Sequence, residues 1–401
     1  MDKGLVNLPV HNVRERIALT VAALFLVLAM VLEPKTAFDG ATLGLQTWWH
    51  IVFPSLLPFF IVSELLMNLG VVHFIGVLLE PVMRPLFRLP GAASFPVAVG
   101  YSSGYPIGAA ITSRLRSENM ISRAEGEHLV AFTNNASPLF VLVAVAVGMF
   151  HNPAVGPFLL LVHYATNFIL GLAMRFYAPS ERTQSGYKSG LWARAVFSFI
   201  GTNGRPAGAV LSDAVKASVN KLLAIGGYII LFAVVIRLLG HYGVLTVIAR
   251  SLGAALLPLG FSPEILEPMA YGVFEMTLGT RMIAECNASL PEKLVAVQIV
   301  LAWSGLSIQA QVAGFISTTD IRLWLYLATR CAHAALAALL TFVLFPVCGP
   351  TALPAGRVAS APGMEWLGLL QTSCMLALTL PLLLASTGLA LRSMRRLFHV
   401  S

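Results

Sequence analysis

The residues in this chain that could do chemistry stand where apolar residues would be expected. The run Val97-Ala98-Val99-Gly100-Tyr101-Ser102-Ser103-Gly104-Tyr105-Pro106-Ile107-Gly108 lies inside a long apolar stretch, and so does Phe132-Thr133-Asn134-Asn135-Ala136-Ser137-Pro138. Both place hydroxyl and amide side chains beside glycine and proline. In hydrocarbon a broken helix leaves backbone N–H and C=O groups without partners, which costs several kcal/mol per group. Such breaks survive only when buried in protein or lining a polar cavity. Two in succession near membrane depth point to a transport site. The chemistry is therefore binding rather than bond making.

The second half of the chain carries a matching pair: Gly272-Val273-Phe274-Glu275-Met276-Thr277-Leu278-Gly279-Thr280, then Trp303-Ser304-Gly305-Leu306-Ser307-Ile308-Gln309. Candidate substrate contacts are Ser102, Ser103, Gly104, Tyr105, Thr133, Asn134, Asn135 and Ser137 in the first half. In the second they are Glu275, Thr277, Ser304, Ser307 and Gln309, with Gln311 beyond. Half-helix N-termini expose N–H groups and the positive end of the helix dipole, which suits a carboxylate or phosphate. Tyr101 and Tyr105 offer rings for stacking on a flat ligand. Glu275 is suited to a coupling cation or proton, or to neutralising Arg281. The plainer reading is that small residues in membrane helices serve only close packing. His163 reads as an interhelical hydrogen-bond donor, Glu64 as an interior structural partner, and Arg330 needs a carboxylate or backbone partner.

These residues sit in a chain of 401 residues that is 57% hydrophobic and only 11% charged, against about a quarter charged for a soluble domain. The reading is an all-α polytopic membrane protein. The net charge of +8 does not imply nucleic acid; it reflects Lys and Arg collected in cytoplasmic loops. No Walker loop, HExxH pair, paired Cys/His set or Gly-x-Ser-x-Gly elbow stands out, so neither an enzyme nor an ATP-driven pump is expected, and no cofactor.

Spans are expected over residues 17–32, 51–69, 128–150, 157–176, 221–239, 293–316, 321–345 and 365–391. Residues 37–50 read as a mixed stretch with Trp48 and Trp49 at an interface. Residues 71–89 and 241–259 read as amphipathic surface helices, 113–127 as a charged loop, and 177–220 as a polar loop that divides the chain. The halves can be overlaid: Asn134 to Ser304 and Ser137 to Ser307 are each 170 residues apart, and Gly108 to Gly279 is 171. If 91–112 and 261–285 are re-entrant hairpins, the basic N-terminus, Arg114, Arg116, Arg123, Arg182, Lys188, Arg322 and Arg392–Arg396 all fall on the cytoplasmic side. Each repeat then crosses an odd number of times and the two are inverted. The expected architecture has about eight transmembrane helices plus two re-entrant hairpins, an inverted-repeat elevator-type transporter with both termini cytoplasmic.

Three motifs in order resemble a known family: Phe53-Pro54-Ser55-Leu56-Leu57-Pro58-Phe59-Phe60, Gly100 to Ala109, and Thr133 to Pro138. They resemble the YlbJ-type sporulation integral membrane proteins, also called SpoVV. That family carries the nucleoside-recognition Gate domain and is similar in plan to concentrative nucleoside transporters. The resemblance implies transport of dipicolinate (pyridine-2,6-dicarboxylate) across the outer forespore membrane of the mother cell. On this plan residues 1–47 form an N-terminal transmembrane helix and connector, 48–176 the first Gate repeat and 177–220 a cytoplasmic loop. Residues 221–346 form the second, inverted repeat and 347–401 a C-terminal transmembrane helix. A nucleoside or other small organic solute is the alternative cargo. A ligand sensor or scaffold of a sporulation complex is the alternative role. The coupling ion, H+ or Na+, stays open, and a homodimer through scaffold helices is suggested by analogy only.

Overall fold

A computed structural model describes residues 13–69, 82–178 and 206–350; the expected final span, 365–391, lies outside the described residues. Every regular element among the described residues is a helix. Helix α1 (Val13–Leu32) ends at Glu33, where Pro34 opens α2 (Pro34–Asn68) with its fixed φ. The mixed stretch and the following span are thus one 35-residue helix. Its winding widens over Trp48–Val52, and the Phe53 amide reaches Trp48 O five residues back. Pro54 lies just beyond; a proline inside a helix lacks the N–H and crowds the carbonyl four residues earlier, which a wider turn relieves.

The Trp48–Trp49 pair is therefore mid-helix rather than at a helix end. Trp48 is buried and donates from Nε1 to Leu222 O at 2.9 Å, while Trp49 stays exposed. The acceptor belongs to α8 (Ala207–His241), which begins well inside the stretch expected to be loop. A Cβ at Gly44 would come 2.8 Å from Ile230 Cα, and one at Gly226 would enter the Trp48 ring. Only glycine lets the α2 and α8 backbones approach this closely.

Between α2 and α8 runs the first set of broken elements. Residues 82–89, the described part of the expected surface helix, bury Met83, Phe87 and Leu89 against Leu115, Leu129 and Phe132. Helices α3 (Ser94–Ser103) and α4 (Ile107–Ser117) form a helical hairpin with its tip at Gly104–Pro106. The charged loop shrinks to residues 118–122, because Ser122 caps α5 (Arg123–Thr133). Glu125 N donates to Ser122 Oγ at 3.3 Å and Ser122 N to Glu125 Oε2 at 2.8 Å, a reciprocal capping box. After a non-helical stretch over 134–137, α6 (Phe140–Met149) continues the broken span with wide turns, and α7 (Val155–Met174) follows.

The order recurs after α8. Amphipathic α9 (Val244–Leu256) buries Leu245 and Gly253. Helices α10 (Leu266–Phe274) and α11 (Met276–Glu285) form a second hairpin with Glu275 at its tip. Helices α12 (Leu290–Trp303) and α13 (Gly305–Ile316) are a span broken at Ser304, and α14 (Leu323–Cys348) is unbroken. His163 on α7 and His333 on α14 are also 170 residues apart, and their rings meet at 4.8 Å.

Five helices among the described residues are long and apolar enough to cross a membrane: 34–68, 155–174, 207–241, 290–316 and 323–348. At about 1.5 Å per residue, 20 residues cover the roughly 30 Å of hydrocarbon. Outside the apolar elements, Arg116 Nε and Asp320 Oδ1 pair at 2.7 Å, and this hydrogen bond holds the Asp320 carboxyl below its ordinary range.

Candidate functional site

The two hairpin tips meet the two breaks backbone to backbone. Gly104, at φ 78°, sits where a Cβ would come 2.7 Å from Ser137 N. Gly305, at φ 74°, sits where a Cβ would come 2.9 Å from Met276 N and 3.0 Å from Phe274 O. A side chain at either position would be strained and would also hold the tip away from the break. Tyr105 bridges the halves: its N–H donates to Asn135 O at 2.8 Å and its hydroxyl to Leu301 O at 3.0 Å.

An inner pocket of about 50 Å³ opens where these parts converge on α2 and α8. Ser103, Gly104, Tyr105, Ser137, Glu275, Thr277 and Ser307 line it, with Gln311 beside them. Val52, Leu56, Phe60, Ile225 and Tyr228 supply its apolar wall. A second cavity of about 410 Å³ adjoins it and shares Phe60, Ser103, Tyr105, Ile225, Tyr228 and Gln311. The inner pocket has room for little beyond water at about 30 Å³ a molecule. The outer one falls within the roughly 300–1,000 Å³ of small-molecule sites.

The other candidates are held within the protein, mostly by backbone carbonyls. Ser102 is exposed and donates back to Ala98 O at 2.9 Å on its own helix. Thr133 Oγ1 donates to Leu129 O, and Asn134 Nδ2 to Tyr326 Oη at 2.5 Å. Ser304, in the left-handed region, donates to Trp303 O, as does Gln309 Nε2 at 3.0 Å. The reason is the break itself, whose freed carbonyls must be paired in apolar surroundings. Arg330, fully buried, serves the same need: its guanidinium donates to Asn134 O at 2.9 Å and to Ala131 O. Asn167 Nδ2 donates to Phe132 O, and the Tyr164 hydroxyl contacts Tyr101 O and Ala136 O. His163 Nε2 accepts from Ala136 N at 3.2 Å.

Three candidates keep free polar atoms, Asn134 at Oδ1 among them. Neither Oδ1 nor Nδ2 of the fully buried Asn135 has a hydrogen-bond partner, and Ser307 Oγ in the pocket wall has none. Buried polar groups left unpaired are rare and suited to a ligand. Glu275, by contrast, spends Oε2 on Leu278 N at 2.7 Å and so fills the N-terminus of α11 with its own carboxylate. Lys221 of α8, which is not among the sequence candidates, and Glu64 of α2, expected only as a structural partner, pair in the wall of the outer cavity. An acid inside one apolar run and a base at the start of another were the available signal.

A family model described as nucleoside recognition, Gate, matches residues 49–163. The sporulation integral membrane protein YlbJ of Bacillus subtilis (strain 168) is 43% identical over 329 residues, covering 80% of this chain and 81% of that protein. An uncharacterized protein of Alkalihalophilus pseudofirmus is 29% identical over 163 residues, 39% of this chain and 33% of that one. Among solved structures, CNTnw in an inward-facing substrate-bound state is similar at a TM-score of 0.48 and 12% identity, over 75% of this chain and 76% of that one. Fold and site define an integral membrane protein whose described elements are all helices, two of its spans being broken around a small pocket. The chain belongs to the YlbJ family of sporulation integral membrane proteins.

Proposed function

We propose that this protein moves a small planar dicarboxylate, dipicolinate, across the outer forespore membrane during sporulation. The observation that carries the proposal is the pocket itself. Two hairpin tips and two helix breaks converge on it, the unpaired Asn135 amide is buried at the first break, and the unpaired Ser307 hydroxyl lies in its wall. A ring fits the apolar outer cavity while one polar end enters the inner pocket between Ser137 and Ser307. The mechanism is of elevator type. Helices α2 and α8, locked together through Trp48 and Gly44, act as scaffold. The hairpins and broken spans, repeated in inverted orientation, form the moving unit.

The matched Gate description, nucleoside recognition, favours a second reading in which a nucleoside is the cargo. Flux into proteoliposomes separates the two. Uptake of labelled dipicolinate, not competed by uridine, is the expected result. Uptake of uridine alone would replace the first reading with the second, and binding without flux of either would make the protein a sensor.

A further inference from the structure

The outer cavity has one anion and one cation in its described wall, Glu64 on α2 and Lys221 on α8, and the two form an ion pair. The Glu64 side chain is 11% exposed and that of Lys221 30%. Around them the wall is largely apolar: Phe60, Ile107, Ile225 and Phe315. Such a pair is a poor stabiliser, because desolvating both ions offsets much of their attraction. Nor is it needed to join α2 to α8, which are already held by Trp48 on Leu222 O and by the contact of Gly44 with Ile230.

Its position suits a ligand. Along α2 the inner pocket is lined by Val52, Leu56 and Phe60, and the outer cavity by Phe60 and Glu64. Ile225 borders both spaces and lies one turn, about 6 Å, along α8 from Lys221. The ammonium therefore faces the same continuous space as the hairpin tips, from its outer end. At the inner end the amide seat at the start of α11 is already taken by Glu275. A second carboxylate on a substrate finds its cation at Lys221 instead.

We infer that Lys221 is the specificity-determining contact for the outer carboxylate of a dicarboxylate substrate, and that Glu64 is a resident carboxylate which holds Lys221 in the empty protein and yields it to the substrate. This rests on the dicarboxylate reading above and adds the group that selects two carboxylates over one. Replacing a bound acid by an incoming acid keeps the lysine paired throughout; the charge left without its partner is that of Glu64, and this is the cost that Glu64→Gln removes.

The test compares binding of dipicolinate and of picolinate, which keeps only one ring carboxylate, to purified full-length protein. The variants are Glu64→Gln and the double variant Glu64→Gln with Lys221→Gln. The double variant keeps a neutral hydrogen-bonding pair, so an unpaired glutamate does not confound folding. Wild type is expected to prefer dipicolinate by about tenfold, consistent with a charge-assisted contact. Glu64→Gln, which removes the competitor, should bind dipicolinate several-fold more tightly. The double variant, with an unchanged melting temperature in the absence of ligand, should bind the two compounds equally. If the double variant keeps the full preference for dipicolinate, Lys221 is not the selecting contact and the inference falls while the dicarboxylate reading stands. If wild type binds neither compound, the dicarboxylate reading itself fails and the inference with it.

Discussion

At the first break, four residues (134–137) leave the helix, and its carbonyls are met mainly by distant side chains. Arg330 of α14 takes Ala131 O and Asn134 O, Asn167 of α7 takes Phe132 O, and Tyr164 takes Ala136 O. At the second break only Ser304 separates two helices, and it is tied mostly from within. Gln309 and Ser304 itself cover Trp303 O, and the Trp303 indole reaches Val273 O on the adjoining hairpin. A break one residue long needs little help from its neighbours. A break four residues long has room for an amide that pairs with nothing in the protein, but it must borrow donors from α7 and α14. The first break is consequently the costlier of the two and holds the buried Asn135 amide with no partner of its own.

The largest effect expected from this contrast is at Arg330. Arg330→Ala leaves two carbonyls of the first break unpaired, and charge-assisted bonds of this kind are worth about 1.5–3 kcal/mol each. Little folded protein should be recovered after detergent extraction, judged by size-exclusion profile. Gln309→Ala at the second break removes one neutral bond and should cost about 1 kcal/mol. Equal losses in the two variants would break the comparison.

An intermediate effect is expected at Gly108, where a Cβ would run into Thr133 O. A backbone carbonyl yields little, so Gly108→Ala should cost about 1–3 kcal/mol, read as a lowered melting temperature, and should reduce uptake by shifting the first hairpin. The smallest effect on stability belongs to Asn135→Ala, which removes no hydrogen bond from the ligand-free protein. Its stability, read from the melting temperature, should stay within about 1 kcal/mol of wild type while uptake is abolished. A large stability loss with uptake retained would make Asn135 a structural residue and sharpen the contrast in the other direction.

How much was legible follows the same division. Glycine, proline and amides set in apolar runs are local signals, and they marked both hairpins and both breaks. The 170-residue offset then paired Asn134 with Ser304, and it pairs His163 with His333 as well. What the chain hid was either masked by polarity or depended on long-range contacts. Residues 207–220 carry Asp213, Lys216 and Asn220 and read as loop, yet they are the opening turns of α8. Ser122 and Glu125 spell a capping box that was legible and overlooked in a run of charges. Trp48 looked interfacial because aromatic belts are common, and only the crossing of α8 buries it. The partner of Arg330 turned out to be backbone, which no side-chain pattern can reveal. The same need to satisfy carbonyls explains why Thr133, Ser304 and Gln309 are bound to the protein itself, while Asn134 is tied to the Tyr326 hydroxyl.

The proposed cargo is a dicarboxylate held between the hairpin tips and helices α2 and α8. The most direct test is thermal stabilisation of the detergent-purified protein by dipicolinate, with uridine and isophthalate as comparators. A ligand that binds only the folded state raises the melting temperature by mass action. The prediction is an upward shift with dipicolinate that grows with concentration, is absent with uridine, and disappears in Asn135→Ala. A shift with uridine and none with dipicolinate would contradict it.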